Sequence, residues 1–588
     1  MRKHRKDARE FKQLSEQLRS IRQIAGHTKV GNLWIHEAAV RKKIKALQQM
    51  DERSLPKFYQ VYEGYLELLD EISRRLLDDY NERHQTNFRF EELVKTYQKE
   101  YLSSGIITAL VSSHIPTIMV EAFTRCFPTN PKDEYPKARA IKRKVYLHLG
   151  QTNTGKTYQA LERLKQSQTG IYLAPLRILA LEVYERLVDA EIACDLKTGE
   201  EEILTPHATH QSSTVEKLDL DQVYDVAIID EIQLLGDSQR GAAWTRALLG
   251  LRCAEIHICG AANVKKLLLE ILNDCEDEIE IHEYIRQVPL VIEKEPYLVK
   301  RATQGDAFIF FSKRRVLDLA KFFSLQGITA SVIYGDLPPE VRKLQYHDFI
   351  EGKNSVLVST DAIGMGVNLP IRRIIFMNLC KFDGDEERWL TSQEVKQIAG
   401  RAGRKGLYEV GYVATQGRGY SFLKNQIENE DEPIDEAVIG PSEAILNIEG
   451  LPLKEKLALW SNMPVEVQWY RKMDVRDYII ILDKIRRYRL DEEIEWKIMR
   501  LPFDVHQEAL LSTLLILIEE YFVRQEEVPT RPAQGEKRLT NLEIYYQKVN
   551  LYYSFCKAFK IDFELKWVYS ERIRISEMIQ ELLVNVKY

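Results

Sequence analysis

The sequence lacks the marks of several protein classes. None of its apolar runs approaches the ~18 residues that cross a bilayer, so we expect no membrane span. Its 7 cysteines in 588 residues form no C-x-x-C pair, which indicates no zinc site and suits a reducing compartment. The basic stretch at residues 1–23 lacks the apolar centre of a secretory signal and contains acidic residues, so we interpret it as an exposed basic helix.

A strong charge of either sign is also missing. The chain has 83 Lys and Arg against 88 Asp and Glu, a formal net charge of −5, which argues against a protein that coats nucleic acid indiscriminately. Local basic faces stay open, so partners must be inferred from individual sites. At 588 residues the chain is too long for a single core, and its length indicates roughly four domains.

The order of helical and strand-like segments predicts where these domains lie. Apolar residues at three- and four-residue spacing indicate helical domains at residues 1–140 and 431–588. Between them, strand and helix patterns alternate, which predicts two α/β domains with parallel sheets at residues 141–288 and 289–430. The predicted strands are Ile171–Ala174, Val226–Ile229, Glu255–Cys259, Ala307–Phe311, Ala330–Tyr334, Ser355–Ser359 and Arg373–Phe376. In the C-terminal domain, Val465–Tyr488 is predicted to be helical.

A phosphate-binding loop follows the first apolar strand, Val145–Leu149. Residues 150–157, GQTNTGKT, fit the pattern G-x-x-x-x-G-K-[ST] at every position. Glycines let backbone N–H groups turn toward phosphate oxygens, and the following helix offers its positive N-terminal end to the same anion. We expect Lys156 to reach the β- and γ-phosphates and the Thr157 hydroxyl to ligate Mg²⁺. The predicted nucleotide ligands are Gly150, Thr152, Asn153, Thr154, Gly155, Lys156 and Thr157.

A pair of adjacent carboxylates ends a buried strand farther along the same domain. The sequence VAIIDEIQ places Asp230 and Glu231 directly after the apolar run. Asp230 can hold Mg²⁺ through water, and Glu231 can orient or deprotonate the water that attacks the γ-phosphate. An apolar strand that ends in Asp-Glu is common, but its position after a phosphate loop makes it a strong signal.

The second α/β domain has no phosphate loop, which predicts a cleft whose far wall this domain supplies. Its segment QIAGRAGR, residues 397–404, has Arg401 and Arg404 three residues apart, which predicts that both guanidinium groups lie on one helix face. An arginine from a facing domain stabilises the charge that develops on a transferring phosphoryl group. The alternative is a solvated basic helix face, but such a face would not need the small residues between these arginines.

Taken in order, these motifs resemble the series of a superfamily two helicase of the Ski-like DExH group. The chain is most similar to the ATP-dependent RNA helicase family of the mitochondrial RNA degradosome and its bacterial relatives. The similarity rests on GQTNTGKT, APLRILALE, CDLKTGEE, ATHQSSTVE, DEIQLL, CGAAN, FIFFSKR, VIYGDLPP, STDAIGMGVNLPIRRIIF and QIAGRAGR. It is close over about residues 145–408 and looser elsewhere. The resemblance implies two tandem RecA-like parallel-sheet domains flanked by N-terminal and C-terminal helical domains.

The resemblance also implies roles for individual residues. The catalytic set would be Lys156, Asp230, Glu231, Gln397, Arg401 and Arg404. Metal ligands would be Thr157 and Asp230, and Gly366 would join the nucleotide ligands, while Gln233 would link the hydrolysis site to the second domain. The nucleic-acid path would be lined by Pro175, Arg177, Thr198, Gly199, Ser312, Thr360 and Asp361. Such a path grips backbone phosphates and reads no base sequence.

The chain departs from the family pattern in two places. CGAAN, residues 259–263, stands where a Ser-Ala-Thr motif usually couples hydrolysis to unwinding. No adenine-reading glutamine motif precedes Val145, so the sequence does not show selectivity for adenine. ATP is the nucleotide that the resemblance implies, and other nucleoside triphosphates are alternatives.

A short hairpin is predicted between the threonine-aspartate motif and the arginine segment. Residues 378–390, NLCKFDGDEERWL, contain the turn signal Asp383-Gly384 between flanks that could pair. By resemblance this hairpin would act as a wedge between strands, with Phe382 or Trp389 stacked on a base. A plain surface hairpin is the alternative.

The leading interpretation is an NTP-driven RNA helicase that requires Mg²⁺, translocates 3′ to 5′ and unwinds duplexes in RNA turnover. Its predicted partners are single-stranded RNA or RNA with a 3′ overhang, and an exoribonuclease. A DNA translocase is an alternative, because backbone contacts alone do not recognise the 2′-hydroxyl. A scaffold that recruits a ribonuclease and uses ATP as a switch is another, although a switch has no need of hydrolytic groups; a metabolic phosphotransferase leaves the second α/β domain unexplained. We expect a bacterial cytoplasmic location, with the mitochondrion as the alternative.

Overall fold

The computed structural model describes residues 2–50, 52, 55–84, 87–96, 98, 101–102, 105–106, 109–110, 117–364, 369–382, 387–404 and 406–585. The helices are α1 Arg2–His27, α2 Leu33–Gln48, α3 Phe58–His84, α4 Phe90–Thr96, α5 Thr117–Cys126, α6 Pro136–Arg139, α7 Lys156–Lys165, α8 Arg177–Asp189, α9 Gly241–Gly250, α10 Lys265–Asp274, α11 Lys313–Leu325, α12 Pro339–Ile350, α13 Ser392–Ala399, α14 Tyr420–Glu428, α15 Leu453–Asn462, α16 Arg476–Ile485, α17 Glu492–Met499, α18 Glu508–Ile518, α19 Leu539–Ala558 and α20 Leu565–Val584.

The strands are β1 Lys144–Gly150, β2 Gly170–Ala174, β3 Cys194–Lys197, β4 Glu202–Ile203, β5 His210–Thr214, β6 Val223–Ile229, β7 Arg252–Gly260, β8 Glu278–Tyr284, β9 Leu290–Ile292, β10 Asp306–Ile309, β11 Ala330–Ile333, β12 Val356–Ser359, β13 Arg373–Phe376, β14 Cys380–Phe382, β15 Glu387–Trp389, β16 Gly411–Thr415, β17 Ala437–Ile439 and β18 Tyr470–Lys472. None of the described helices combines the length and apolar character that spanning a membrane requires.

The chain divides into two compact units. One comprises Met1–Cys126 and Glu443–Pro464, and the other comprises Phe127–Ser442 and Val465–Tyr588. The first unit is helical, and α2 and α3 bury residues such as Leu33, Val40 and Leu69 in a shared apolar core. The four-domain division expected from the sequence stays a prediction at the level of its boundaries.

The second unit contains the two α/β sheets. Among the described residues, the first sheet has eight strands in the order β4-β3-β5-β2-β6-β7-β1-β8, and the second has six in the order β11-β12-β10-β13-β16-β9. The strand pairs of both sheets are parallel except β3 with β4, which is antiparallel. Apolar residues of β1, β6 and β7 meet α9 and α10 on one face of the first sheet. The expected fold class, two RecA-like α/β domains with helices toward both ends of the chain, is confirmed.

The first sheet brings its functional loops to one edge. Because β1, β2, β6 and β7 run parallel, their carboxyl ends meet there. Pairing Leu149 of β1 with Gly260 of β7 sets the phosphate loop beside the CGAAN segment. Pairing Leu173 of β2 with Ile229 of β6 sets the Asp-Glu pair beside the start of α8.

One secondary-structure expectation is wrong. Val465–Tyr488 was expected to be helical throughout, but Tyr470–Lys472 forms β18, which pairs in parallel with β17, and the helix begins only at Arg476. The competing interaction is tertiary, since Tyr470 is buried in the apolar core of the first sheet.

Candidate nucleotide-hydrolysis site

The phosphate loop connects β1 to α7 with backbone conformations that its glycines and Asn153 provide. Gly155 has φ +86°, and Asn153 takes a left-handed φ of +64°. A Cβ on Gly150 would lie 2.4 Å from the Tyr284 carbonyl oxygen, so no side chain fits at the first position of the loop. Lys156 Nζ donates to the carbonyl oxygens of Gly150, at 2.8 Å, and Gln151, at 3.3 Å. The loop therefore binds the Lys156 ammonium through uncharged carbonyl oxygens.

Asp230 lies at the end of β6, where three side chains fix it. The Tyr172 hydroxyl donates to Asp230 Oδ2 at 2.8 Å, and the Thr157 hydroxyl donates to Oδ1 at 3.4 Å. Trp244 Nε1 donates to the backbone oxygen of Asp230 at 2.9 Å. Burial and the neighbouring Glu231 carboxylate raise the pKa of Asp230 to about 6. A carboxylate in this setting is poised to gain from a nearby cation.

Glu231 has a strained backbone and a side chain linked to the next loop. Its φ of +52° is left-handed, a conformation that costs a non-glycine residue about 1–3 kcal/mol. The Gln233 side chain donates to the Glu231 carboxylate, and Gln233 Oε1 accepts from the Ala261 backbone N–H at 3.0 Å. A Cβ on Gly260 would lie 2.8 Å from Gln233 Oε1, so this glycine of CGAAN permits the close approach. The altered motif thus contacts Gln233 through a backbone group.

The arginine segment differs from the expectation in one respect. The capping box of Thr391 and Glu394 starts α13, but the helix ends at Ala399, so Arg401 and Arg404 lie beyond it and do not share a helix face. Gly403 explains the change of direction, because its φ is +75° and a Cβ there would lie 2.8 Å from the Gly411 nitrogen. The two arginines are therefore held by a turn that packs against β16.

Arg401 points into the cleft between the sheets. Its Nε donates to the Gly364 carbonyl oxygen at 3.2 Å. Burial lowers the pKa of Arg401, and the nearby carboxylates of Glu231 and Asp230 oppose that shift. Gln397 lies beside the same glycine, since a Cβ on Gly364 would be 3.5 Å from Gln397 Cγ.

Asn153 reaches across the cleft rather than into the phosphate loop. Its Nδ2 donates to the Gly403 carbonyl oxygen at 3.2 Å. The phosphate loop and the arginine turn are therefore in direct contact. Gly366, also predicted to bind nucleotide, lies outside the described residues.

The residues predicted to line the nucleic-acid path make contacts within the protein. Arg177 lies among carboxylates: Nη1 is 2.6 Å from Glu200, and Nη2 is 3.0 Å from Glu201 and 3.2 Å from Glu340 of the second sheet's domain. Burial opposes its charge, but Tyr546 and these carboxylates raise the pKa of Arg177 well above its ordinary value. An arginine neutralised in this way is poorly placed to bind a phosphate.

The C-terminal helix α19 covers the neighbouring turn. The Ser554 hydroxyl donates to the Gly199 carbonyl oxygen at 3.3 Å, and Thr198 Oγ1 donates to the Glu201 carbonyl oxygen at 3.1 Å within the turn. Glu543 of the same helix pairs with Lys313, the residue after Ser312. Helix α19 therefore contacts both α/β domains beside three predicted path residues.

The remaining path residues make other contacts. The Pro175 carbonyl oxygen accepts from Arg240 Nη2 at 2.5 Å, and Thr360 Oγ1 accepts from the Ala362 N–H at 3.3 Å. Asp361 lies 3.4 Å from Lys381 at the base of the predicted hairpin.

The hairpin itself is confirmed in the described part of the chain. Strands β14 and β15 pair antiparallel, with Lys381 opposite Arg388. Phe382 is 65% exposed, and Trp389 lies 5.1 Å from the Phe422 ring centroid. The predicted turn residues Asp383 and Gly384 lie outside the described residues. Exposed aromatic rings are what a wedge or stacking surface requires.

Tyr172 and Trp244 are the site residues that the sequence did not reveal. Each contacts Asp230 from an element remote in sequence, so no local motif marks them. The available signal was the position of Tyr172 in the sheet. It lies on β2, next to β6, and pairs with Ile228, one residue before β6 ends.

A phosphate loop and a carboxylate pair from one sheet, completed by an arginine from the next, are the parts of a nucleoside triphosphatase site shared between two domains. Residues 131–284 match the DEXQ-box helicase domain of Suv3, and residues 290–406 match the helicase conserved C-terminal domain. The chain thus carries the helicase domains of the Suv3-type DExH family. The resemblance expected from the motifs is confirmed.

Curated relatives extend this similarity. The mitochondrial DExH-box ATP-dependent RNA helicase DExH16 of Arabidopsis thaliana is 51% identical over 280 residues, covering 47% of this chain and 49% of the relative. The mitochondrial helicase DExH18 of the same plant is 34% identical over 483 residues, covering 78% and 62%. The mitochondrial ATP-dependent RNA helicase SUV3 of Saccharomyces cerevisiae is 40% identical over 332 residues, covering 54% and 45%. The chain spans about half the length of the curated relatives it matches.

The expected bacterial cytoplasmic location is wrong. These relatives, including the rice, zebrafish and mouse proteins, are all named as mitochondrial helicases. Composition could not reveal this, since a reducing compartment and a net charge near zero suit either location.

Proposed function

We propose that the chain is an ATP-dependent RNA helicase that moves 3′ to 5′ along single-stranded RNA, separates duplexes and acts in mitochondrial RNA turnover. The observation that supports this most is one cleft in which Lys156, Asp230 and Glu231 of the first sheet lie across from Arg401 of the second. Hydrolysis in such a cleft changes the contact between two domains, and that change is the source of movement.

The phosphate loop would bind the triphosphate by exchanging acceptors. Lys156 Nζ, now bonded to the Gly150 and Gln151 carbonyl oxygens, turns to the β- and γ-phosphate oxygens. The loop N–H groups and the start of α7 complete the anion site. Because the lost partners are neutral, this exchange costs little.

The site has suitable ligands for Mg²⁺. The Thr157 hydroxyl and the Asp230 carboxylate are hard oxygen groups 3.4 Å apart. Mg²⁺ favours a few protein oxygens together with phosphate and water, so a larger carboxylate cluster is unnecessary. When bound, the ion neutralises charge on the β- and γ-phosphates.

The remaining groups divide the chemistry between the two domains. Glu231 orients the attacking water and accepts its proton, held in place by Gln233. Arg401 leaves the Gly364 carbonyl oxygen to stabilise charge on the transferring phosphoryl group, with Arg404 and Gln397 completing the far wall. Gln233 joins Glu231 to the CGAAN loop and so links hydrolysis to the domain contact.

Strand displacement with the full chain tests the proposal. We expect single-stranded RNA to stimulate ATP hydrolysis. We also expect the chain to unwind an RNA duplex that has a 3′ overhang. Efficient unwinding of a duplex with only a 5′ overhang would contradict the polarity, and equal stimulation by DNA would favour a DNA translocase. Deleting residues 383–386 should reduce unwinding while sparing RNA-stimulated hydrolysis.

An exoribonuclease partner completes the proposal. A helicase that exposes a 3′ single strand supplies the substrate of a 3′-to-5′ exoribonuclease. We expect a duplex with a 3′ overhang to be degraded fully only when such a nuclease, this chain and ATP are all present. Degradation that does not depend on ATP would reject the cooperation.

A further inference from the structure

Arg286 lies in the short connection between the two α/β sheets. Strand β8 ends at Tyr284 and β9 begins at Leu290, so the connection has five residues. Motion of one sheet against the other changes the backbone of this connection, which joins the two sheets covalently.

The guanidinium of Arg286 bonds to both walls of the cleft. Nη1 donates to the Gly400 carbonyl oxygen at 2.7 Å and to the Thr152 carbonyl oxygen at 3.4 Å, while Nη2 donates to the Ala402 carbonyl oxygen. Nε donates to the Val288 carbonyl oxygen at 2.6 Å within the connection. One side chain thus joins the phosphate loop, the interdomain connection and the arginine turn.

The two carbonyls on the arginine turn flank Arg401. The Gly400 carbonyl belongs to the peptide that joins Gly400 to Arg401, and the Ala402 carbonyl belongs to the peptide that joins Ala402 to Gly403, so the fork of Arg286 holds the turn just before and just after Arg401. A planar guanidinium holds two carbonyls at a fixed spacing and in one plane, whereas a lysine ammonium offers rotatable donors from a single nitrogen and fixes no such geometry. The direction of the Arg401 side chain therefore depends on Arg286.

Close packing limits other arrangements of this contact. A Cβ on Gly400 would lie 2.9 Å from Thr152 Cβ, and Asn153 bonds to Gly403 one residue beyond Ala402. The phosphate loop and the turn therefore move as one while these bonds last.

The charge of Arg286 lacks the carboxylate partners that Arg143 and Arg373 of the second unit have. Arg143 pairs with Asp277, and Arg373 pairs with Asp306 and Glu293, whereas no carboxylate of the described residues lies within ion-pair distance of Arg286. Burial lowers the pKa of Arg286 to about 10. A partly buried cation held only by carbonyls is unfavourable for stability alone, and the anion nearest to it would be the bound triphosphate.

We propose that Arg286 is a positioning residue for nucleotide hydrolysis: it sets the direction of Arg401 and ties that direction to the phosphate loop. This inference rests on the proposed function of the cleft. It assigns the connection between the sheets a part in catalysis rather than only the role of a hinge.

The variants Arg286→Gln and Arg286→Lys test the proposal in full-length protein. We expect Arg286→Gln to lower kcat for ATP hydrolysis about 10- to 100-fold, as misplacement of a catalytic group does, while KM for ATP changes about threefold or less. Arg286→Lys should recover only part of kcat, because a single ammonium nitrogen lacks the fixed, planar spacing of donors that matches the Gly400 and Ala402 carbonyl oxygens. A thermal unfolding curve confirms that each variant is folded.

A double mutant distinguishes positioning from a separate contribution. If Arg286 acts through Arg401, then Arg286→Gln combined with Arg401→Ala should be no slower than Arg401→Ala alone. The control is Lys343→Gln, which removes an exposed ion pair with Glu185 between the same two domains and should leave kcat unchanged.

Three results would overturn the proposal. The first is a wild-type kcat in Arg286→Gln. The second is a double mutant whose loss of activation free energy equals the sum of the losses in Arg286→Gln and Arg401→Ala. The third is a change in Arg286→Gln that is confined to KM. Measuring hydrolysis with and without RNA separates the role of Arg286 from the proposed function. If the wild-type protein hydrolyses ATP but neither responds to RNA nor unwinds it, the helicase function is rejected and the role of Arg286 is not. A wild-type protein without hydrolysis rejects both.

Discussion

Basic residues in two regions of the second unit have contrasting hydrogen-bond partners. In the cleft, Lys156 and Arg286 donate to backbone carbonyl oxygens, and Arg401 Nε donates to the Gly364 carbonyl oxygen. Near the start of α8, Arg177 is surrounded by the carboxylates of Glu200, Glu201 and Glu340. A carbonyl can be exchanged for a phosphate oxygen with a gain in charge attraction, whereas a carboxylate already neutralises the cation. The partner of a cation thus distinguishes a group poised for an anion from one that holds the fold.

Glu231→Gln should give the largest effect in the cleft. Glutamine keeps the shape of the side chain but cannot accept the proton of the attacking water, so hydrolysis should fall about 10²–10⁴-fold. Binding of a fluorescent ATP analogue should change little. Hydrolysis near the wild-type rate would show that another group is the base.

Arg177→Met should act on stability more than on nucleic acid. Removing the cation leaves three carboxylates facing one another, which we expect to cost about 3 kcal/mol of unfolding free energy in urea denaturation. RNA affinity should fall by less than the ~10-fold expected when a charged hydrogen bond to phosphate is lost. The control is Arg186→Met on the same helix, whose pair with Glu182 is more exposed. A large, salt-dependent loss of RNA binding would restore Arg177 to the nucleic-acid path.

Glu394→Gln should give a smaller, pH-dependent effect. Although burial opposes ionisation, Arg388, Lys381 and the Thr391 N–H lower the pKa of Glu394 to about 2. Because the folded pKa lies below the ordinary 4.5, the stabilisation is present above pH 4.5 and is lost as the pH falls toward 2. We expect Glu394→Gln to cost about 2 kcal/mol at pH 7.

Urea denaturation at pH 7, 5 and 4 checks this expectation. The difference between wild type and Glu394→Gln should begin to shrink below about pH 4.5. Glu387→Gln, an exposed change on β15, is the matched control and should shift stability little at any pH. A difference that grows on acidification would contradict the assignment.

The strands that the sequence predicted are apolar, and the polar strand β5 was missed. The expected runs Val226–Ile229 and Arg373–Phe376 lie within β6 and β13. Strand β5, HQSST, is fully buried but polar, and two of its side chains bond to backbone groups remote in sequence: Ser212 Oγ donates to the Ala180 carbonyl oxygen at 2.6 Å, and His210 Nε2 lies 3.0 Å from the Leu164 carbonyl oxygen. A prediction based on hydrophobic periodicity cannot detect a strand whose burial depends on such bonds.

The candidate site shows the same limit. The phosphate loop, Asp230 and Glu231 are local motifs whose residue types suffice to predict their place. The partners of Arg177 come from positions 23, 24 and 163 residues away, so no local pattern could show that carboxylates surround it. The turn at Arg401 likewise depends on the approach of Gly403 to Gly411. The three-residue spacing of the arginines could not predict this tertiary contact.

The most direct test of the contrast measures RNA-stimulated ATP hydrolysis by Arg401→Ala and Arg177→Met side by side. Arg401 Nε donates to a carbonyl oxygen, whereas Arg177 forms ion pairs with carboxylates. The account predicts a loss of at least about 100-fold for Arg401→Ala, while folded Arg177→Met stays within about threefold of wild type. Equal losses in the two variants, or a larger loss in Arg177→Met, would contradict it.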